Sequence, residues 1–194
     1  LFTDEIIEFC ATSQKFMPHF HVPLQSGSDK ILGDMRRRYK RDLYKIRVEK
    51  IKSVLPDACI GVDVIVGFPG ETNNDFLNTY NFLNELEISY LHVFTYSERP
   101  DTDAVEMGEV VSKEKRAERS RMLHILSDKK RRFFHDQFVN QRRPVLFENM
   151  KNGKLLGHTD NYIQIQTDGT PDLINTIHPV KLSGNYGRFV QGIL

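Results

Sequence analysis

The sequence predicts an α/β fold followed by a small all-β domain. Between residues 19 and 96, apolar runs rich in β-branched residues are followed by polar or Gly-containing turns and by amphipathic segments at helical spacing. From Pro144 onward, short alternating segments are separated by Gly, Asp and Asn turns instead. A length of 194 residues suits one domain with a small second one. We place the boundary between residues 1–138 and residues 139–194.

The first domain repeats the order strand, turn, helix. Ser28 and Asp29 are residue types that begin helices, whereas Pro56 and Asp57 end one. The predicted elements are a helix over 4–13, a strand at 20–24, helices from 29 and over 42–54, a strand at 59–66, a helix over 73–87 and a strand at 90–96.

Apolar spacing also predicts which side chains point inward. In the helix over 42–54, Leu43, Ile46 and Ile51 fall roughly on one face. The strand at 59–66 has one charged residue, Asp63, among β-branched residues, which predicts a parallel strand buried on both faces. The helix over 73–87 is expected to pack inward through Phe76, Leu77, Tyr80, Phe82 and Leu83.

Alternating strands and helices favour parallel strands with right-handed crossovers. A barrel, a partial barrel and a doubly wound sheet all satisfy this order. In each of them, chemistry takes place at the carboxyl ends of the strands. The loops that follow the three strands are therefore the first candidates for a site.

A long charged segment over 112–138 separates the two domains. It has nine Lys and Arg against three Asp and Glu between Ser112 and Arg132, which indicates a connector helix. Leu123, Leu126, Phe133 and Phe134 are expected to dock it. The short strands beyond it predict a small OB-like barrel.

Composition excludes several classes of protein. Cys10 and Cys59 match no metal-ligand spacing, so we expect no metal site built from cysteines in this chain and no disulfide scaffold. No run approaches the ~18 apolar residues of a membrane span, and the N-terminus lacks the order of a signal peptide. The sequence thus predicts a cytoplasmic protein without a membrane partner, and its start at Leu1 suggests an excerpt of a longer one.

Two loops carry candidate binding groups. The Gly67–Glu71 loop has two glycines that permit close backbone approach to a ligand, although an ordinary turn between strand and helix explains it equally well. Gln25, Ser26 and Ser28 offer an amide and two hydroxyls suited to ribose or a carboxylate. Ser28 as a plain helix cap is the alternative.

Three side chains in the predicted strands need separate consideration. Asp63 must find a partner or a ligand, because an unpaired carboxylate in a dry interior costs several kcal/mol. His21 and His92 lie in apolar runs, where a packed histidine is commoner than a catalytic one.

Positive charge is concentrated although the chain has a formal charge of only +1. Residues 36–52 contain nine Lys and Arg against two Asp and Glu. Such runs are usually solvated helix faces, but together with an OB-like module they favour RNA, whose phosphates need clustered cations and whose bases need aromatic platforms. Tyr162 and Phe189 are candidate platforms, and each could equally belong to the barrel core.

Five motifs in order carry a family resemblance. They are HVPLQSGSD (21–29), MRRRY (35–39), DVIVGFPGET (63–72), HVFTYS (92–97) and GHTDNY (157–162). Together they resemble the radical S-adenosylmethionine (SAM) methylthiotransferases over essentially the whole chain. The resemblance implies the C-terminal part of a partial (β/α) radical SAM barrel, followed by a TRAM domain that helps to bind tRNA.

The resemblance implies two 4Fe-4S clusters and an electron donor in the parent protein. One cluster is held by a C-x-x-x-C-x-x-C loop, and its open iron chelates SAM. Neither cysteine set is in this chain, so we expect the fragment to bind no cluster and to be inactive alone, with Cys10 and Cys59 as packed thiols.

The resemblance implies roles only for the residues of this chain that match the motifs of the family. Asp63 is implied to lie near the reacting centre as a catalytic residue. The residues implied to contact SAM are Gln25, Ser26, Ser28, Arg37, Asp63, Gly67, Glu71, His92 and Phe94. The residues expected to contact RNA are Arg36, Arg38, Arg142, Arg143, His158 and Tyr162.

The implied reaction inserts a methylthio group at C2 of an adenosine next to the anticodon, after a 5'-deoxyadenosyl radical has abstracted hydrogen from C2. The motifs are most similar to the branch acting on N6-threonylcarbamoyladenosine. Sister branches modify isopentenyladenosine or an aspartate of a ribosomal protein. Two other hypotheses remain: an RNA-binding module with a structural barrel remnant, and an unrelated α/β barrel in which Glu71 or Asp63 acts on a phosphorylated metabolite.

Overall fold

The computed structural model describes residues 2–194. An α/β unit is followed by a closed five-stranded β-barrel, and the two units contact each other. The α/β unit comprises α1 (Asp4–Thr12), β1 (His19–His21), α2 (Asp29–Asp34), α3 (Arg41–Val54), β2 (Cys59–Val66), α4 (Asn73–Glu85), β3 (Tyr90–Thr95), α5 (Asp103–Glu106) and α6 (Lys113–Asp136).

The sheet has the strand order β1-β2-β3, and both strand pairs are parallel, as the alternation of elements predicted. Even-numbered residues of β2, from Ile60 to Val66, are fully buried against the helices. Odd-numbered residues point to the opposite face, where Asp63 and Ile65 are only half-buried. The prediction that this strand is buried on both faces therefore holds for its first four residues and fails at Asp63 and Ile65.

We call this second side of the sheet the inner face. It carries alternate residues of all three strands, and direct contacts link many of these side chains. The inner-face residues are His19, His21, Cys59, Gly61, Asp63, Ile65, Tyr90, His92 and Phe94.

The helices bury narrower stripes than the sequence indicated. In α3 the buried stripe is Tyr44, Val48 and Ile51, whereas Leu43 and Ile46 are exposed. The Tyr44 hydroxyl donates to the Val22 carbonyl at 2.6 Å, so an aromatic residue with a polar tip, rather than the leucine beside it, anchors the helix.

Neighbouring apolar residues in other helices show the same effect. Leu77 of α4 and Phe133 of α6 are exposed, although both were expected to pack inward. Each is adjacent in sequence to a buried phenylalanine, Phe76 or Phe134. Consecutive residues are about 100° apart on a helix, so the two residues of each pair point in different directions. In these two pairs, only the phenylalanine Phe76 or Phe134 faces the core.

The long helix α6 covers the free edge of β3. The Ser127 hydroxyl accepts a hydrogen bond from Leu91 N at 2.8 Å and donates to Leu91 O at 3.1 Å. Both backbone groups point away from β2 and would otherwise be buried without partners. The predicted connector helix thus also lies along the free edge of β3, in the place that a fourth strand would occupy.

The second unit confirms the predicted small barrel of short strands. Its strands are connected in the closed order β4-β5-β6-β8-β7. Gly157 permits β4 and β5 to approach, because a Cβ there would collide with the Leu146 carbonyl. The elements are β4 (Arg142–Lys151), β5 (Lys154–Thr159), β6 (Gln164–Thr167), a short 3-10 helix (Pro171–Leu173), β7 (Ile177–Asn185) and β8 (Val190–Ile193).

A buried arginine joins the two units. Arg143 of β4 donates two hydrogen bonds to the Asp160 carboxylate, both at 2.8 Å, and one to Asp57 Oδ2 at 2.7 Å. The Asn161 amide donates to the Asp57 carbonyl. Phe138, which follows α6, packs in the core of the barrel. The barrel is therefore docked by both polar and apolar contacts.

We predict that Ser127→Ala lowers the free energy of unfolding by about 1–3 kcal/mol, because the Leu91 backbone groups lose their partner in a buried place. Urea denaturation followed by circular dichroism measures this change. Ser120→Ala on the same helix is the matched control and should change stability by less than about 0.5 kcal/mol. Equal effects of the two variants would contradict the edge-covering role of Ser127.

Candidate functional site

Two concave regions border the inner face. The loop pocket, with a volume of about 1050 Å³, lies at the carboxyl ends of β2 and β3 and is lined by Ile65, Phe68, Phe94, Tyr96 and residues 33–37, among others. The domain cleft, of about 690 Å³, lies between β3, α6 and the small barrel. The loop pocket is where the parallel topology predicts ligand binding.

Gln25 occupies a bulge beside β2. Its φ of +75° is in the left-handed region, and the amides of Leu24 and Gln25 both donate to the Asp63 carbonyl. The Gln25 carbonyl then accepts from Ile65 N at 2.9 Å. The chain after Pro23 thus rejoins the sheet, which places the predicted binding loop at the end of β2.

The serines of this loop have partners inside the protein. Ser26 is fully buried, and its hydroxyl lies 3.2 Å from the Thr79 hydroxyl. The Ser28 hydroxyl donates to Asp75 Oδ1 at 2.7 Å and also caps α2. These side chains hold the loop against α4. In this structure they position the loop and do not present their hydroxyls to a ligand.

The Gly67–Glu71 turn is organised around one carboxylate. Glu71 Oε2 accepts hydrogen bonds from Gly67 N at 2.7 Å and from Arg119 at 2.6 Å. Burial raises the pKa of Glu71, and the Gly67 amide and the Arg119 guanidinium oppose this shift. Gly67 and Gly70 both have φ near +75°, which explains glycine at these positions.

A second arginine of α6 holds the loop after β3. Arg116 donates to the carbonyls of Val111 and Tyr96 and to the Glu98 carboxylate at 2.6 Å. Its side chain also fills the space where a Cβ of Gly67 would lie. The sequence did not point to Arg116 and Arg119, because a charged helix usually presents its arginines to solvent. The available signal was their spacing of three residues, which places both on one face of the helix.

On the inner face, Asp63 has found the partner that its burial requires. His21 Nε2 lies 2.5 Å from Asp63 Oδ1, in a hydrogen bond. The His92 ring is 5.1 Å from the His21 ring and packs edge-on against Tyr90. His21 and His92 are both exposed, so the structure does not place them in the apolar core.

An aromatic stack joins the inner face to the barrel. The rings of His19 and Tyr162 lie parallel at 3.9 Å, and His158 lies 4.9 Å from Tyr162. His19 Nε2 is 2.8 Å from the Tyr90 hydroxyl. Burial and the neighbouring imidazoles lower the pKa of His19. The ring of Tyr162, predicted to be an RNA platform, stacks within the protein, and its φ of +67° is in the left-handed region.

The predicted RNA-binding arginines are not equally available. Arg36, Arg37, Arg38 and Arg142 are exposed, and Arg36 pairs with Asp103 at 2.5 Å. Arg143 is instead held between Asp57 and Asp160 at the junction of the two units. A phosphate could reach Arg143 only by displacing these carboxylates.

The two cysteines do not fit an iron–sulfur cluster. Burial raises the pKa of the Cys59 thiol to about 12, which disfavours the thiolate that a cluster needs. Cys10 lies on α1 and is half-buried. Both are free thiols in the structure.

Comparison with known proteins identifies relatives along the chain. The Radical SAM superfamily profile matches residues 1–83. A threonylcarbamoyladenosine tRNA methylthiotransferase from Bacillus subtilis is 39% identical over 97% of this chain. A tRNA-2-methylthio-N(6)-dimethylallyladenosine synthase from Syntrophotalea carbinolica is 36% identical over 95% of it.

The match covers this chain more fully than it covers the relatives. The chain spans 44% and 43% of the lengths of these two enzymes. Coproporphyrinogen III oxidase from Escherichia coli, described as a radical SAM enzyme, superposes with a TM-score of 0.56 at 11% identity, over 88% of this chain and 44% of that one. This last likeness shows a shared fold. Within residues 2–194, no helix is long and apolar enough to cross a membrane.

We predict that Arg119→Ala destabilises the chain by about 3 kcal/mol or more, because it leaves the buried Glu71 carboxylate without its cation. Urea denaturation at neutral pH measures the loss. Arg121→Ala is the matched control, since Arg121 is exposed on the same helix and its substitution should shift stability by less than about 0.5 kcal/mol. If Arg119→Ala loses no more stability than Arg121→Ala, the prediction that Glu71 depends on its pair with Arg119 is wrong.

Proposed function

We propose that the chain is a member of the radical SAM methylthiotransferase family and supplies the C-terminal part of a tRNA methylthiotransferase. The enzyme attaches a methylthio group at C2 of a hypermodified adenosine next to the anticodon. The observation that carries the proposal is the match of two tRNA methylthiotransferases to at least 95% of this chain. Its substrate would place the enzyme in the cytoplasm.

We assign the substrate base to N6-threonylcarbamoyladenosine. The relative named for that nucleoside is 39% identical, compared with 36% for a relative named for the dimethylallyl nucleoside. The basic MRRRY motif at residues 35–39 and the His92 strand are the segments that support this choice. The dimethylallyl nucleoside is the alternative that the experiment must separate.

The loop pocket fits SAM. Its volume of about 1050 Å³ is sufficient for a nucleoside cofactor. Ile65, Phe94 and Tyr96 provide apolar and aromatic walls for the adenine, and Arg37 in the same lining provides a cation for the carboxylate. When bound, SAM supplies the radical that begins the reaction; the chain binds, orients and shields it.

The other predicted cofactor residues lie beside the pocket rather than in its lining. Gly67 precedes the pocket residue Phe68, and the Gln25 carbonyl bonds to the amide of the pocket residue Ile65. Asp63 and His92 lie on the inner face. Ser26, Ser28 and Glu71 shape these loops through buried hydrogen bonds. Glu71 is engaged by Arg119 and Gly67, which disfavours its use as the acid or base of a metabolite enzyme.

The iron–sulfur clusters and the electron-transfer partner belong to the rest of the parent enzyme in this proposal. Clusters are held by Cys thiolates, and the pair Cys10 and Cys59 does not supply a suitable set. This chain by itself should therefore hold no cluster and catalyse no methylthiolation.

The small barrel is proposed as a TRAM-like module that contacts tRNA. Its exposed Arg142 begins β4, and His158 is half-buried at the domain cleft. Arg36 and Arg38 are exposed on the α/β unit. Exposed cations of this kind bind phosphates and give salt-dependent affinity.

The activity test uses the full-length protein encoded with this chain, reconstituted anaerobically with iron and sulfide. We expect 2-methylthio-N6-threonylcarbamoyladenosine in tRNA digests analysed by mass spectrometry. Methylthiolation of the dimethylallyl nucleoside instead would reassign the substrate. Lack of any methylthio product from protein with an intact, SAM-cleaving cluster would reject the proposed function.

Salt dependence of tRNA binding tests the RNA surface. We expect the combined variant Arg36→Ala, Arg38→Ala and Arg142→Ala to reduce the slope of log affinity against log salt by about one per contacting residue. Fluorescence anisotropy of labelled tRNA measures it. The control variant Lys15→Ala, Lys115→Ala and Lys129→Ala removes three exposed lysines outside residues 36–52. An unchanged slope in the first variant, or an equal fall in both, would contradict the assignment.

A further inference from the structure

We propose that His21, Asp63 and His92 form a binding site for a divalent first-row transition metal ion on the inner face of the sheet. Each side chain offers one ligand atom, and the three ligand atoms lie within 4.8 Å of one another. This site is distinct from the loop pocket, which begins two residues further along β2 and β3, at Ile65 and Phe94. It also differs from a cluster site, since no cysteine takes part.

The sheet topology brings these three residues together. One ligand comes from each of three adjacent parallel strands, and Asp63 lies directly opposite His92 in the β2–β3 register. Because all three project from one surface, they would occupy one side of the metal ion. The other side would remain open to water or to an oxygen or nitrogen of a bound molecule.

The donor set suits a transition metal. Two imidazoles and one carboxylate form the facial arrangement of many Fe(II) sites, and two histidines with a carboxylate also hold catalytic zinc. Ligand atoms around such an ion lie about 2.0–2.2 Å from it. The His21–Asp63 hydrogen bond, now 2.5 Å, would open slightly, and His92 would turn toward the pair.

The surroundings of the three ligands permit their side chains to move while the strand backbone stays fixed. The His21 side chain is 46% exposed and the Asp63 side chain 19% exposed, so both can rotate. The Asp63 carbonyl accepts from Leu24 N and Gln25 N, which fixes the strand beneath the carboxylate. The edge-on ring of Tyr90 limits His92 on its other side. Ligands on rigid strands make a more defined site than ligands on loops.

The distribution of histidines provides independent support. The chain has seven histidines. Six of them lie on the inner face or along the adjoining domain cleft, and only His178 lies elsewhere. The six are His19, His21, His92, His124, His135 and His158. Neutral imidazole is the commonest metal ligand in proteins, so this concentration favours a metal over a purely structural pair.

The test titrates the metal-free chain with Zn²⁺ in a calorimeter and with Co²⁺ in a spectrophotometer at neutral pH. We expect one equivalent of each ion to bind and Co²⁺ to show ligand-field absorption of low-coordinate, nitrogen-containing geometry. His92→Ala and Asp63→Asn should each weaken binding at least about tenfold. Circular dichroism establishes that these variants are folded.

His178→Ala is the matched control, since it removes a half-buried histidine of the barrel that lies outside the inner face and the domain cleft. It should leave both affinity and the Co²⁺ spectrum unchanged. The proposal is overturned if the chain binds no ion saturably, or if His178→Ala weakens binding as much as His92→Ala does. The readout is metal binding by this chain, so its failure would leave the proposed methylthiotransferase function unaffected.

Discussion

The architecture of the candidate site depends on the buried pair between Arg119 of α6 and Glu71 of the loop after β2. Both side chains are almost inaccessible to solvent, so neither charge can be left alone without a large desolvation penalty. Glu71 in turn accepts the Gly67 amide and closes the turn. The helix that follows β3 therefore determines the shape of a loop 48 residues earlier in the chain.

The same helix connects the rest of the molecule. Ser127 completes the edge of β3, Arg116 holds the loop that follows β3, and Phe134 enters the core of the small barrel. Arg143 secures that barrel against Asp57, which lies just before β2 of the α/β unit. A change in α6 would thus reach both the loop pocket and the domain cleft. In the proposed enzyme, this arrangement would keep the RNA-binding module in fixed register with the cofactor loops.

Much of the fold was predictable, because strand and helix periodicities are local properties. The helices over Asp4–Thr12 and Lys113–Asp136, the strand Cys59–Val66 and the closed barrel all agree with the sequence. Burial was predicted wrongly where only one of two neighbouring apolar residues faces the core, as with Leu77 beside Phe76. It was also predicted wrongly where only one side of the sheet is covered. The loops at the carboxyl end of β2 were located from their glycine and serine patterns. Their arginine supports were not, because a charged helix carries no sign of which charges are buried.

The sequence by itself determined the order of elements, the family resemblance and the residues at the strand ends, since these depend on composition, spacing and motif. Only the tertiary structure decided the partners. It paired Asp63 with His21, enclosed Arg143 between two carboxylates and stacked Tyr162 on His19. These contacts join residues from 17 to 143 positions apart in the chain. No local pattern encodes such pairs, because they follow from strand register and from the docking of the two units.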